Sequence, residues 1–278
     1  MKKTGILTFH YANNYGAVLQ SYALYNCLAS KNIDAEIIDY VPSTYKEDRI
    51  SRGTGLRSGS NLKNVLKRIW IKARFNKSII RKFDQFRDAN LKMSARVDEK
   101  SLVDILDDYE AIIAGSDQIW GPWTRSNRVY FLGFDDFYRG NKISYAADST
   151  VSRIEAQYKD RLQKDLNDFK AISVRNSHSQ EFVEELTGKT VPIVADPTVL
   201  CDFTKLRSGD RDSNERYIFV YVLGKDIRGT NKRAIERIKQ VHGDMRVYAV
   251  VDPTRKFNVD IAGYVDKVFY DLGPVEWV

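Results

Sequence analysis

Cysteine is nearly missing from this chain. Cys27 and Cys201 are the only two, which excludes a disulfide-stapled scaffold. Two reduced thiols in a cytosolic protein is the reading, with a single bridge as the alternative. Histidine is almost as scarce, at three residues. No Cys/His spacing of the zinc type occurs, so no metal site is expected. Apolar runs are short. The N-terminal run Gly5–Phe9 turns polar by Asn13 and Asn14, too brief for a signal peptide. No window approaches the roughly 18 apolar residues that a membrane span requires. Neither a Gly-x-Gly-x-x-Gly fingerprint nor a Walker loop is present, which removes the common dinucleotide and nucleoside-triphosphate signatures. Internal repeats and low-complexity tracts are absent as well.

What remains is a chain of 278 residues, 43% hydrophobic and 12% aromatic. That is enough apolar surface for a packed core, and a length for one large or two modest domains. The net charge of +7 is unevenly placed. Residues 44–100 hold 16 Lys and Arg against 6 Asp and Glu, and the rest holds 28 against 31. Within that basic segment, 49–61 reads as a Gly/Ser/Arg-rich loop. Helices are then expected from Leu62, Val65, Leu66, Ile69, Trp70 and Ala73, and from Ile79, Ile80, Phe83 and Phe86. Their basic outer faces are either a solvated surface or a docking surface for anionic lipid headgroups or a lipid diphosphate. No nucleic-acid motif accompanies them, so nucleic acid is not expected as a partner.

Elsewhere strand-like and helical runs alternate. Strands are expected at 5–9, 35–40, 111–114, 142–146, 171–174 and 192–195, and helices at 17–30, 102–106, 154–169 and 179–186. This pattern predicts an α/β fold with a parallel sheet. The first domain is placed at 1–201, with the basic insertion at 44–100, and a linker at 202–216. A second alternation follows at 217–278, with strands at 217–223, 245–251 and 265–270 and a helix at 231–242. A helical start at Pro274 suggests that this second domain is incomplete.

In open α/β sheets, ligands bind beyond the carboxyl ends of the strands. After the first strand come His10, Asn13, Asn14, Tyr15 and Gly16, leading into a helix that carries Gln20. His10 is read as acid, base or phosphate donor, and the helix start as an anion site, against Asn caps and a turn-closing His. After the strand at 111–114 come Gly115, Ser116, Asp117, Gln118 and Trp120. An indole to stack on a sugar and polar groups for hydroxyls suit a saccharide or nucleotide site, against a capped turn. Ser149 follows the next strand and Arg175 the one after. Arg175 fits a carboxylate or phosphate, unless a neighbouring carboxylate already holds it. Asp196-Pro197-Thr198 and Gly224-Lys225-Asp226 are weaker candidates.

The runs Gly5-Ile6-Leu7-Thr8-Phe9-His10, Asn14-Tyr15-Gly16-Ala17-Val18-Leu19-Gln20, Ala114-Gly115-Ser116-Asp117-Gln118-Ile119-Trp120, Ser144-Tyr145-Ala146-Ala147, Ile172-Ser173-Val174-Arg175 and Asp196-Pro197-Thr198 together resemble the polysaccharide pyruvyl transferase family. The resemblance implies two Rossmann-like domains like those of the glycosyltransferase-B class. It also implies transfer of pyruvate from phosphoenolpyruvate to a saccharide or lipid-linked saccharide as a ketal, in cell-surface polysaccharide synthesis. Phosphoenolpyruvate would be a donor substrate, with no cofactor. The resemblance gives Arg175 a role at the donor, and His10 and Asp117 are taken as catalytic. Location in the cytoplasm, at the inner membrane face through the basic segment, is expected. Two departures stand out. Asn176 replaces a usual Glu, and the family's later Ser-Phe-His-Gly-like segment has no counterpart, so a truncated or split enzyme is expected. The rivals are a nucleotide-sugar glycosyltransferase of similar fold and an inactive fragment or binding subunit.

Overall fold

The computed structural model describes residues 2–45, 77–206, 215–222, 230–251 and 265–278. Two compact units are present, Met1–Tyr45 with Arg87–Asp202, and Lys46–Phe86 with Phe203–Val278. The expected loop at 49–61, the helix at 62–73 and the Gly224-Lys225-Asp226 turn lie outside the described residues.

The first unit is built on five parallel strands: β1 (Lys3–Leu7), β2 (Ala35–Ile37), β3 (Tyr109–Ala114), β4 (Asn141–Ala147) and β5 (Ala171–Val174). Their order is β2-β1-β3-β4-β5. The central strands are apolar runs, as a sheet covered on both faces demands. Helix α1 (Tyr15–Ser30) buries Tyr15, Val18, Leu19, Ala23 and Leu24. A second helix, α2, occupies 77–90, of which 77–86 belong to the second unit. Its expected stripe of Ile79, Phe83 and Phe86 is buried, while Lys77 and Arg81 face solvent. Lys82 is engaged within the second unit, by the Asp271 carbonyl at 2.8 Å and Glu276 at 2.6 Å, so it belongs to local structure. Helices α3 (Ala156–Asn167) and α4 (Ser177–Thr187) pack on each other. They send Leu162, Leu166, Phe182, Val183 and Leu186 into the core around Trp120 and Phe131.

Most expected elements recur within about two residues of their boundaries, and the exceptions have physical causes. The strand expected to reach Tyr40 ends at Ile37; Ile38 N still donates to Ile6 O of β1, while the other edge of this segment pairs with 92–97. Ile37 N donates to Lys92 O, and Val97 N to Asp39 O. The strand expected at 192–195 is reduced to one bridge, Val174 to Ile193, since Pro192 has no N–H to extend the ladder. The turn at Leu102–Asp108 is a 3₁₀ helix.

In the second unit, strands β6 (Tyr217–Val222), β7 (Arg246–Val251) and β8 (Lys267–Phe269) form a parallel sheet in sequence order. Helices α5 (Thr230–His242) and α6 (Pro274–Trp277) belong to this unit. Within the expected linker, Phe203–Leu206 is a 3₁₀ turn. Among the described residues, no helix is long and apolar enough to cross a membrane.

Strand order in the first sheet reverses between β1 and β3. Such a reversal leaves a crevice beyond the carboxyl ends of those strands. The candidate residues converge there.

Candidate functional site at the carboxyl edge of the first sheet

Backbone hydrogen bonds link the loops that leave the strands. Gly115 N donates to Leu7 O at 3.1 Å, Asp148 N to Asp117 O at 3.0 Å, and Arg175 N to Ala147 O at 3.1 Å. Gly115 is required at its position. Its φ is +126°, and a Cβ there would stand 2.2 Å from Tyr145 O. Side chains continue the tie: Gln20 Nε2 donates to Thr8 Oγ1 at 2.8 Å, and Thr8 Oγ1 to Ser116 O at 3.1 Å. Three non-glycine residues along this edge hold positive φ: Asp117 at 75°, Ala146 at 50° and Thr150 at 62°. Each left-handed residue costs on the order of 1–2 kcal/mol. Strain of that kind persists where the surroundings over-determine it, and it gathers at functional sites.

The charged core of the edge is one guanidinium among three carboxyls. Arg175 donates through one Nη to Asp148 Oδ2 at 2.6 Å, and through the other to Asp196 Oδ2 at 3.1 Å. Asp148 also accepts from Thr150 N at 2.6 Å, Asn176 Nδ2 at 3.1 Å and Ser179 Oγ at 3.2 Å. Burial alone would raise its carboxyl, but these donors, Arg175 first, hold it below the ordinary range. Asp196 is likewise held low against its burial, by Thr198, Arg175 and Ser116. Asn176 donates here and also caps α4, accepting from Ser179 N at 2.9 Å. A Glu at that place would set a third carboxylate against Asp148, so Asn keeps this network in balance.

Asp117 behaves oppositely. Burial pushes its carboxyl upward, Asp196 and Asp148 add to the rise, and the Gln118 amide and Arg175 offset only part of it. The edge therefore holds two carboxylates kept ionised and one carboxyl kept protonatable. Such a separation within one cluster marks acid/base assignments.

The other sequence candidates divide clearly. His10 is buried, with Nε2 2.9 Å from Asp39 Oδ1 and Nδ1 3.2 Å from Thr8 O. It braces the loop after β1 and does not reach into the crevice. Asp39 is held low by His10 and Arg96 against its burial. Asn13 accepts from Arg87 Nη2 at 3.0 Å. Asn14 caps α1, accepting from Ala17 N at 3.1 Å. Tyr15 is buried, and Gly16 is exposed in the first turn of α1. Gln20 acts within the loop tie described above. Ser149 is buried, its Oγ donating to Val151 O at 2.9 Å and its N to Ser179 Oγ at 2.9 Å. Trp120, expected to stack on a sugar, is wholly buried. It lies parallel to Phe131 at 5.6 Å, with Phe169 and Phe182 around it, and its Nε1 donates to Tyr130 O. Its rings are occupied by core neighbours. Ser116 is fully buried and donates to Asp196 Oδ2 at 3.0 Å, so it braces the network and is not open to a substrate; Asp117 and Gln118 stay at the edge, with Gln118 exposed.

Asp148 and Asp196 complete the network; sequence marks Asp196 only as a weaker candidate and does not single out Asp148. Their signal was position alone, a carboxylate just past a strand end on the same edge as Arg175. Tyr11 and Tyr45 also border the edge, without any periodic or motif signal.

A model of the polysaccharide pyruvyl transferase family matches residues 14–278. The chain belongs to that family. No curated protein matches it. The family match spans nearly the whole chain and covers the loops that follow β3, β4 and β5.

A cleft of about 620 Å³ also opens at the opposite, amino end of the sheet, lined by Asp135, Arg139, Lys142, Lys164, Asp165 and Asp168 among others. Its charges are largely met by one another. Arg128 pairs with Asp135 and Asp165, Lys164 with Asp135, and Lys142 with Asp168. This cleft also holds a left-handed residue, Asp135 at φ 48°, but Arg128 and Lys164 pull its carboxyl down, whereas the carboxyl edge holds Asp117, whose carboxyl is pushed up. Among the described residues, no cluster fit to hold a metal ion occurs.

Proposed function

We propose that this family member moves the pyruvyl group of phosphoenolpyruvate onto two hydroxyls of a saccharide, giving a cyclic ketal, in cell-surface polysaccharide synthesis. The two units would then correspond to the two Rossmann-like domains of the glycosyltransferase-B class. The observation that supports the chemistry best is the protonatable carboxyl of Asp117 at the strand-order reversal. Protonation of the donor's methylene carbon makes an electrophilic centre at the enol carbon. A sugar hydroxyl adds there, phosphate leaves with its C–O bond broken, and the second hydroxyl closes the ring. Two protons are lost from the hydroxyls: one replaces the proton put on carbon, and the other leaves with inorganic phosphate. Asp117 is the group here that can supply the first proton and receive one back.

Arg175 is committed to Asp148 and Asp196, so a donor anion reaches it by displacing Asp196, the longer contact. The exposed cations Lys77 and Arg81 favour docking at an anionic membrane face, where a lipid-linked acceptor would be met.

The test uses the full chain with phosphoenolpyruvate and a nitrophenyl galactoside, reading phosphate release. Asp117→Asn should lower kcat by about 10²–10⁴-fold. Asn tolerates positive φ and keeps the oxygen that accepts from Gln118 N. Because folding raises the Asp117 pKa, ionisation destabilises the fold as pH climbs past the unfolded value of about 3.9. The variant should therefore be at least as stable as the parent at pH 7. A variant that keeps kcat within twofold would refute the role.

A further inference from the structure

We infer that Tyr11 and Tyr45 form the platform on which the acceptor saccharide ring lies, beside Asp117 and Gln118. This rests on the reading of the carboxyl edge as the transfer site, and adds to it which side of the crevice takes which substrate.

Behind the crevice is an aromatic stack. Tyr40 and Tyr130 are fully buried, with centroids 5.6 Å apart, and Phe9 meets Tyr130 edge-to-face at 5.0 Å. This stack comes to the surface at two rings. Tyr11 and Tyr45 are both half-buried. They stand edge-to-face with centroids 4.6 Å apart and planes at 65°. Each is fixed. The Tyr11 hydroxyl is 3.1 Å from that of Tyr130, Phe9 and His10 flank its ring at 6.2 and 5.6 Å, and Tyr45 N donates to Pro42 O at 2.7 Å. Aromatic rings that hold their orientation bind with little entropy lost, and their electron-rich faces attract the polarised C–H groups on the flat side of a sugar ring.

The charges nearby decide between donor and acceptor. Burial pushes the Tyr11 phenol up to about 12, the Tyr130 hydrogen bond offsets part of this, and Tyr45, Asp117 and Glu99 add to the rise. Glu99 is fixed there, accepting from Tyr40 Oη at 3.0 Å and Ser43 N at 3.1 Å. With Asp117 protonated for transfer, Glu99 is the anionic edge of these tyrosine rings, and it disfavours the carboxylate and phosphate of phosphoenolpyruvate on them. The surface suits a neutral ring that offers hydroxyl donors. A saccharide seated on it would bring its hydroxyls to Asp117, the group assigned to proton transfer.

The experiment is kinetics and binding with the full chain. Tyr45→Leu, with its fold checked by circular dichroism, should raise the acceptor KM by roughly three- to tenfold. The phosphoenolpyruvate KM should stay within twofold, and Tyr45→Phe should recover most of the acceptor affinity. Tyr11→Leu should act in the same direction. Saturation-transfer NMR with methyl galactoside and a small panel of other methyl glycosides gives a readout free of the donor. Its signal should fall in Tyr45→Leu. Unchanged acceptor KM and unchanged saccharide signal in Tyr45→Leu would overturn the platform, as would a rise confined to the phosphoenolpyruvate KM. If the parent shows no transfer yet binds a glycoside through Tyr45, the platform stands and pyruvyl transfer falls. If it neither transfers nor binds, both fall.

Discussion

Arg175 offers the sharpest test of how the edge is built, since a free donor-binding arginine and a clamped one respond differently to removal. The guanidinium is 26% exposed and Asp148 only 6%. Breaking a buried ion pair from one side costs about 3–5 kcal/mol. In Arg175→Gln, Asp148 keeps three donors, Thr150 N, Asn176 Nδ2 and Ser179 Oγ, and part of the lost pair is replaced by water. About 2–3 kcal/mol is therefore expected at pH 7. Asp148→Asn in the Arg175→Gln background should recover part of this, with a coupling of roughly 1–3 kcal/mol. The pH dependence has a definite sign. Asp148 and Asp196 are depressed in the folded state, so their contribution is present above an unfolded pKa near 3.9 and is lost as pH falls through the folded values. The gap between parent and variant should be full at pH 7 and shrink below about pH 4. Urea unfolding followed by near-ultraviolet circular dichroism across pH 3–8 (a range of roughly five units, chosen to bracket that value) measures it. A difference below about 0.5 kcal/mol at pH 7, or one that does not shrink in acid, would refute the clamp.

Removing the weaker anchor should help the donor: Asp196→Asn should lower the phosphoenolpyruvate KM by roughly three- to tenfold in phosphate-release kinetics, because it frees an Arg175 donor and removes a repelling charge. A rise in that KM would contradict the displacement step. Trp120→Ala should cost about 3–5 kcal/mol in urea unfolding, and material that remains folded should keep its acceptor KM. A selective acceptor defect in Trp120→Ala would return the indole to the binding site.

Much of the scaffold could be read from the chain, because alternating short apolar runs, each closed by polar residues, dictate a covered parallel sheet and mark its carboxyl edge. The edge itself was legible as a set of loops. The allocation of work within it was not. Arg175 meets Asp148 and Asp196, which are 27 and 21 residues away, and only the sheet order brings those loops together. Trp120 carries the same polar handle whether it stacks on a sugar or fills a core. Phe131, Phe169 and Phe182, from three separate segments, settle it as core. His10 was read as a reactive group from its place after a strand, and Asp39, 29 residues on, makes it a brace. Tyr45 sits inside a run dominated by charge, where no periodicity sets it apart. Asp117 was chosen for its position, but its raised carboxyl arises from burial and from two acidic neighbours on other loops.

The central claim is pyruvyl transfer at this carboxyl edge, and carbon labelling reaches it most directly. The full chain would be incubated with phosphoenolpyruvate carrying carbon-13 at the enol carbon and with a galactoside acceptor, followed by carbon NMR. The account predicts that the enol carbon signal disappears, that a quaternary ketal carbon bonded to two sugar oxygens replaces it in step with phosphate release, and that Asp117→Asn slows both together. Label that stays in phosphoenolpyruvate, or that appears only as free pyruvate across a panel of acceptors with the fold intact, would contradict it.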